Sequence, residues 1–357
     1  MSVPQTTVGV FLHAVGGFAA GSFYIPYKRV QGWAWESYWI VGGVFTWLIM
    51  PWLAAALTIP DVLAVLREAP GESLAWTFLF GSLWGIGGLT FGLALRYLGI
   101  SLGMAVSLGT CALFGTIIPP LFDGTFTTLT TTAAGKIVLA GLVACLAGIS
   151  LCCLAGRHRE QDLSMADSAV LGEGNYSRGV WVATFAGVMS ACFAFAMMAG
   201  KPIAETAERL GSEPIHRNAP VMIVLFAGGF LTNLAWCALL NVRNRTAGDY
   251  VNLGWSRLLR NYFFSALAGT IAYLEFFFYG MGTTKMGRYD FSSWTIHMAF
   301  IIVFSNLWGL WFREWAGTTR GTRVLNLFGL GVLILSTVVV GYGNYLTATS
   351  PFPTPEL

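Results

Sequence analysis

Apolar residues run through this chain in long blocks, and polar residues gather in the short gaps between them. A helix needs about 20 mostly apolar residues to cross the hydrocarbon of a bilayer. Ten blocks meet that requirement, at 7–26, 35–56, 74–95, 101–121, 136–155, 179–199, 219–240, 262–282, 291–312 and 324–346. The pattern predicts an all-α polytopic membrane protein with ten transmembrane helices. Only a few residues around Arg96 and Tyr97 separate the third block from the fourth, which predicts a tight turn there. The longest polar stretch, 156–178, holds Arg157, His158, Arg159, Glu160, Asp162 and Asp167. It divides the chain into a first five-helix repeat (1–155), a cytoplasmic linker (156–178), a second five-helix repeat (179–346) and a short C-terminal tail (347–357).

Two homologous units of five spans must enter the membrane from opposite sides, which is the inverted-repeat plan of many secondary transporters. Short echoes fit that plan. Pro26 and Lys28 close the first span of one half, and Lys201 and Pro202 close the first span of the other. The third spans end in Tyr97-Leu98-Gly99 and in Tyr279-Gly280. Thirteen of the 20 Lys and Arg fall in the connections after spans 1, 3, 5, 7 and 9. The positive-inside rule puts those connections in the cytoplasm and both termini in the periplasm. The first six residues lack Lys and Arg, so the first span is expected to be retained rather than cleaved as a signal peptide.

Composition narrows the class further. Charged residues make up 10% of the chain and hydrophobic ones 55%, whereas soluble domains carry about 25% charged residues. Such a chain has too little polar surface for a water-soluble globule, and it is too apolar for disorder. A scattered net charge of +3 makes no case for nucleic acid. Cys111, Cys145, Cys152, Cys153, Cys192 and Cys237 all lie in apolar runs without a C-x-x-C, which suits small buried hydrophobes better than disulfides or metal ligands. No metal or cofactor is expected. The pairs Gly17/Gly21, Gly81/Gly85, Gly88/Gly92 and Gly99/Gly103 have the G-x-x-x-G spacing that lets helices approach closely.

Ionisable groups inside a bilayer cost roughly 2.5–3.5 kcal/mol on insertion scales, so each one needs a reason to be there. Glu275 lies in the middle of span 8 on a face with Ala268, Ala272, Tyr279 and Gly282. It suits either a proton carrier or a neutral interhelical hydrogen-bonding group. His13 shares a small, polar face of span 1 with Gly17, Ala20, Gly21 and Tyr24, and His297 shares one of span 9 with Asp290, Ser293 and Trp294. Asn233 lies in span 7 beside Gly229 and Trp236. Glu36 reads as an exposed first-turn acid, Lys28 and Lys201 as snorkelling cations and Arg96 as an interfacial anchor. Trp33, Trp47, Trp52, Trp311 and Trp315 read as interfacial belt residues. Tyr24, Trp84, Tyr273, Tyr279 and Trp294 fall deeper, beside the polar faces. Aromatic rings next to hydrogen-bonding groups suit a sugar, a nucleoside or an amino acid, and composition alone stops at a small polar solute.

Longer strings say more. His13 to Trp39, HAVGGFAAGSFYIPYKRVQGWAWESYW, resembles the start of the L-rhamnose–proton symporter family, within the drug/metabolite transporter superfamily. FGSLWGIGGLTFGLALRYLGISLGM at 80–104, YLEFFFYGMG at 273–282, YDFSSWTIHMAF at 289–300 and the pair Glu314-Trp315 continue the resemblance in order. It implies two inverted five-helix repeats in a bacterial inner membrane. It also implies proton-coupled uptake of L-rhamnose, or a closely related deoxy-sugar, by alternating access. On that reading His13, Tyr24, Trp84, Tyr273, Glu275, Trp294 and His297 bind the sugar, with Glu275, His297, His13 and Asp290 as candidates for the proton. The chain departs from familiar members in two places. Gly88, Leu89 and Thr90 stand where asparagines are usual, and Glu275 stands for a glutamine.

An exporter or uniporter of another metabolite would use the same fold. A membrane-embedded transferase is a poorer fit, because the sequence has no H-E-x-x-H, acidic metal cluster or nucleotide loop. The expected partners are a sugar, a proton and the lipid bilayer, without nucleic acid.

Overall fold

The computed structural model describes residues 5–122, 126–166, 173–286 and 293–349. Every regular element among these residues is a helix. In chain order they are α1 (Gln5–Ser22), α2 (Tyr24–Tyr27), α3 (Trp35–Val44), α4 (Met50–Thr58), α5 (Val62–Glu68), α6 (Gly71–Leu98), α7 (Ile100–Phe122) and α8 (Phe126–Thr131). There follow α9 (Ala133–Ala166), α10 (Glu173–Ser190), α11 (Cys192–Ala199), α12 (Lys201–Arg209), α13 (Ala219–Asn244), α14 (Trp255–Met286), α15 (Ser293–Trp311) and α16 (Arg320–Thr349). Eight helical segments are long and apolar enough to cross a membrane, and Leu102–Gly115 and Ile296–Trp311 are shorter apolar stretches. The chain is thus a multi-pass membrane protein. All ten apolar blocks fall on helix, apart from single turn residues at Phe23, Ala191 and Phe312 and from residues 291–292, which lie outside the described residues.

The described residues divide into two compact units. Unit 1 comprises Met1–Gly17, Phe91–Val188 and Gly282–Leu357, and unit 2 comprises Phe18–Thr90 and Met189–Met281.

In unit 1, α9 packs lengthwise on α16, and α7 packs against α9 and α15. Glycines make the first contact close: β-carbons on Gly148 and Gly141 would come within 2.8 and 2.7 Å of Leu333 and Val340. The polar stretch expected to begin a linker at 156 instead continues α9 as far as Ala166. A helix satisfies its own backbone on leaving the hydrocarbon, and here its polar side chains also find partners. Arg159 Nε donates to the Glu314 carbonyl (2.9 Å), its Nη1 donates to the Leu98 carbonyl (3.3 Å), and its guanidinium lies 5.5 Å from the Trp315 ring centre. Asp162 accepts from the Thr319 N–H (2.8 Å) and the Thr322 hydroxyl (2.7 Å). The tight turn between α6 and α7 forms as expected, on Gly99 at φ +82°.

In unit 2, α13 packs against α3 and α4. It also meets α6 so closely that β-carbons on Gly81 and Gly228 would overlap the Leu225 and Phe78 carbonyls. Ala55, Val65, Ile203, Ala207 and Val221 form a buried cluster that joins α4, α5, α12 and α13. The second span is not a uniform helix: Phe45–Ile49 forms a π turn, closed by the Met50 N–H on the Phe45 carbonyl. Pro51 explains it. Proline has no N–H to return to the Trp47 carbonyl, so the regular ladder cannot continue through it.

Glu36 corrects the sequence reading. It is 4% exposed, and its Oε1 accepts from Asn244 Nδ2 and Thr246 Oγ1, both at 2.9 Å. Beside it Asp249 accepts from the Ala34 N–H (2.7 Å) and the Ser37 hydroxyl (2.8 Å). Asn261 exchanges two hydrogen bonds with the Gln31 backbone (2.8 and 3.1 Å). Burial raises the nearby Tyr250 hydroxyl above its ordinary pKa, so it stays a neutral phenol against Trp33. Glu36→Ala removes one acceptor from two donors and is expected to destabilise the protein by about 1–3 kcal/mol, read as a lower melting temperature in detergent.

Candidate functional site

Unit 2 gathers four of the expected aromatic residues into one chain of rings. Tyr24 packs on Tyr27 (5.7 Å between centroids), Tyr27 on Trp39 (5.9 Å), Trp39 on Trp47 (6.3 Å) and Trp47 on Trp84 (6.4 Å). Trp84 then meets Phe193, Phe226 and Phe276 at 5.9, 5.4 and 5.3 Å, and Phe226 meets Tyr273 at 6.1 Å. Tyr279 joins at Phe193 (5.8 Å). The helices supply the room: a β-carbon on Gly229 would stand 2.9 Å from the Trp84 ring.

Asn233 locks this chain of rings in place. Its Oδ1 accepts from Trp39 Nε1 (2.9 Å), while its Nδ2 donates to the carbonyls of Gly229 (2.8 Å) and Gly85 (3.0 Å). That is interhelical hydrogen bonding, with little capacity left for a solute. Tyr273 differs. Its hydroxyl is buried and has no hydrogen-bond partner among the described residues. A buried, unsatisfied donor is costly, and such a group is suited to a hydroxylated ligand. Glu275, next to Phe276 on α14, is half-buried.

Unit 1 brings together two residues that the sequence places 284 positions apart. His13 on α1 and His297 on α15 are 0% and 2% exposed, with ring centroids 5.7 Å apart and planes at 63°. Gly282 makes the site possible, since a β-carbon there would come within 2.8 Å of His13 Cε1. Trp294, one turn before His297, lies against Gly115, where a β-carbon would stand 2.9 Å from its Nε1. Asp290 lies outside the described residues.

The tryptophan assignments need correction. Trp52 and Trp311 are exposed, as interfacial belt residues should be, but Trp33, Trp47 and Trp315 are buried. Trp33 packs edge-on to Tyr262 (4.9 Å), and Trp315 lies under Arg159. Sequence reasoning missed Trp39 and Trp47 as parts of the aromatic chain. For Trp47 the usable signal was Pro51 four residues later, together with Gly43 four residues earlier, whose missing side chain leaves space for the indole.

Comparison with known proteins finds relatives over nearly the whole chain. Residues 3–346 match the family described as L-rhamnose-proton symport protein. An L-rhamnose-proton symporter of Cronobacter sakazakii is 38% identical over 342 residues, covering 94% of this chain and 97% of that protein. Symporters so named from Citrobacter koseri and Klebsiella pneumoniae are each 36% identical over 342 residues, covering 94% of this chain and 98% of theirs.

Proposed function

The chain belongs to the L-rhamnose–proton symport family, and we propose from that premise how it carries L-rhamnose and a proton together into the cell. The transporter has ten spans in two inverted repeats, in a bacterial inner membrane with both termini outside. Three observations support the repeat. The chain moves between the two units four times, twice in each half, near residues 17, 90, 188 and 281. The first spans of the two halves each carry one loosened turn, at Phe23 and at Ala191, where the backbone stays right-handed helical. Within each unit, the connections that touch also share parity: those after spans 1 and 7 meet through Ala34 and Asp249, and those after 3, 5 and 9 through Arg159.

The sugar stacks on Trp84, with the Tyr273 hydroxyl donating to one of its hydroxyls. Tyr24 and Glu275, in the same unit, are further sugar contacts. The single observation that carries the sugar reading is the buried aromatic cluster around Trp84, which contains an unpartnered hydroxyl. A sugar ring has an apolar C–H face for the indole and hydroxyl edges for the donors.

The proton rides on the His13–His297 pair. Two imidazolium charges 5.7 Å apart would repel by roughly 3 kcal/mol at an effective dielectric near 20, so the pair takes up one proton and not two. Asp290 is a second proton candidate. One charge moving through 100 mV releases about 2.3 kcal/mol, enough for roughly fiftyfold accumulation of a neutral sugar.

Glu275 is assigned hydrogen bonding to the sugar, which an amide also provides. Glu275→Gln is therefore expected to keep most of its proton-driven accumulation in proteoliposomes. Loss of accumulation with intact sugar exchange would move the proton site to Glu275.

A further inference from the structure

We propose that Trp47 is a further sugar-binding residue: its indole N–H donates to a hydroxyl of the sugar that lies against Trp84, in open space left by Gly88. The inference rests on the reading of Trp84 as the stacking platform. Its first support is the Trp47 nitrogen, buried and without a hydrogen-bond partner among the described residues. A helix end or a turn would not orphan that group, and a residue held only for packing would more economically be phenylalanine. Its ring stands edge-on to Trp84, with the planes at 89°.

The second support is the backbone that presents it. Trp47 sits inside the π turn Phe45–Ile49, and such turns are frequent at functional sites. The third is independent of both. Four residues beyond Trp84 on α6, a β-carbon on Gly88 would meet no atom within 4 Å. Leu79, exposed at 44%, lies nine residues away, about half a turn round the helix at 100° per residue, so Gly88 stands on the opposite side of α6 from it. Neighbouring polar atoms do not claim the space, since the Thr90 hydroxyl donates back to the carbonyls of Ile86 (2.9 Å) and Gly87 (3.0 Å). An orphaned donor beside the Trp84 ring and an open position one helical turn beyond Trp84 thus both border the same stretch of α6.

The test compares L-rhamnose with its singly deoxygenated analogues in proton-driven uptake, for the wild type, Trp47→Phe and Gly88→Leu. Phenylalanine keeps a ring and removes the N–H. The expected result is a KM for L-rhamnose raised roughly fivefold in Trp47→Phe, as for one lost hydrogen bond. One analogue that binds less well to the wild type should bind Trp47→Phe no worse than L-rhamnose does. A structural role would weaken all the sugars alike and leave their ranking intact, and that result overturns the proposal. Gly88→Leu fills the opening while Trp47 itself is kept, and is expected to raise KM at least tenfold at unchanged melting temperature. An unchanged KM in Gly88→Leu also overturns it, and this variant decides the matter if Trp47→Phe does not fold. A wild type that takes up no L-rhamnose would instead defeat the functional reading beneath the proposal.

Discussion

Replacing His13 and His297 together with asparagine is expected to abolish accumulation of L-rhamnose against a gradient while sugar exchange continues. Asparagine offers a donor and an acceptor near the positions of the ring atoms, but it does not bind a proton in this pH range. The two rings are buried and meet edge-on in unit 1, so as the proposed proton carrier the pair would hold one charge at a time. Without it the carrier would still cycle with sugar alone, and roughly fiftyfold accumulation at 100 mV would fall to equilibration. Counterflow and gradient-driven uptake, measured on the same proteoliposomes, separate the two activities. Linkage makes a second readout available: if proton and sugar promote each other's binding, sugar affinity in the double variant should lose its dependence on pH. Undiminished accumulation in that variant would remove the histidines from the proton path.

The largest effect on folding is expected at Gly81. A β-carbon there would overlap the Leu225 carbonyl, and Gly228 is pressed in the same way on the Phe78 carbonyl. Backbone cannot rotate aside as a side chain can, so Gly81→Leu must force α6 and α13 apart. Overpacking of a well-filled core costs about 1–3 kcal/mol, and more where the obstacle is rigid. Against a total stability of roughly 5–15 kcal/mol, that loss should remove the main peak from size-exclusion of the detergent-solubilised protein. Gly88→Leu makes the control, because it adds the same side chain to the same helix in open space. It is expected to elute as the wild type does.

These two glycines also show what the sequence reveals and what it leaves open. Both belong to G-x-x-x-G pairs, and the spacing marks them alike as packing positions. Only the partner helix, which no local pattern identifies, makes one a contact and the other an opening. The spans themselves were legible because hydrocarbon thickness is a constraint that each helix meets alone. His13 and His297 were legible as well, since an ionisable group in a bilayer stands out on its own helix, although their meeting was not. Glu36 was misread for the opposite reason. A first-turn acid at the membrane edge has an ordinary explanation in the helix dipole, and its partners Asn244 and Thr246 come from 208 and 210 residues further along. Trp47 was assigned to the interface by position alone. It is buried within a π turn, and Pro51 four residues later marks that turn in the sequence.

As a symporter the protein must move sugar and proton across together. The most direct measurement of this is uptake of labelled L-rhamnose into proteoliposomes of the purified protein, with an imposed inward proton gradient. Accumulation above the external concentration is expected, and it collapses when the pH gradient and the membrane potential are both dissipated. Accumulation that survives their dissipation, or uptake that only equilibrates while both are held, would contradict proton-coupled symport.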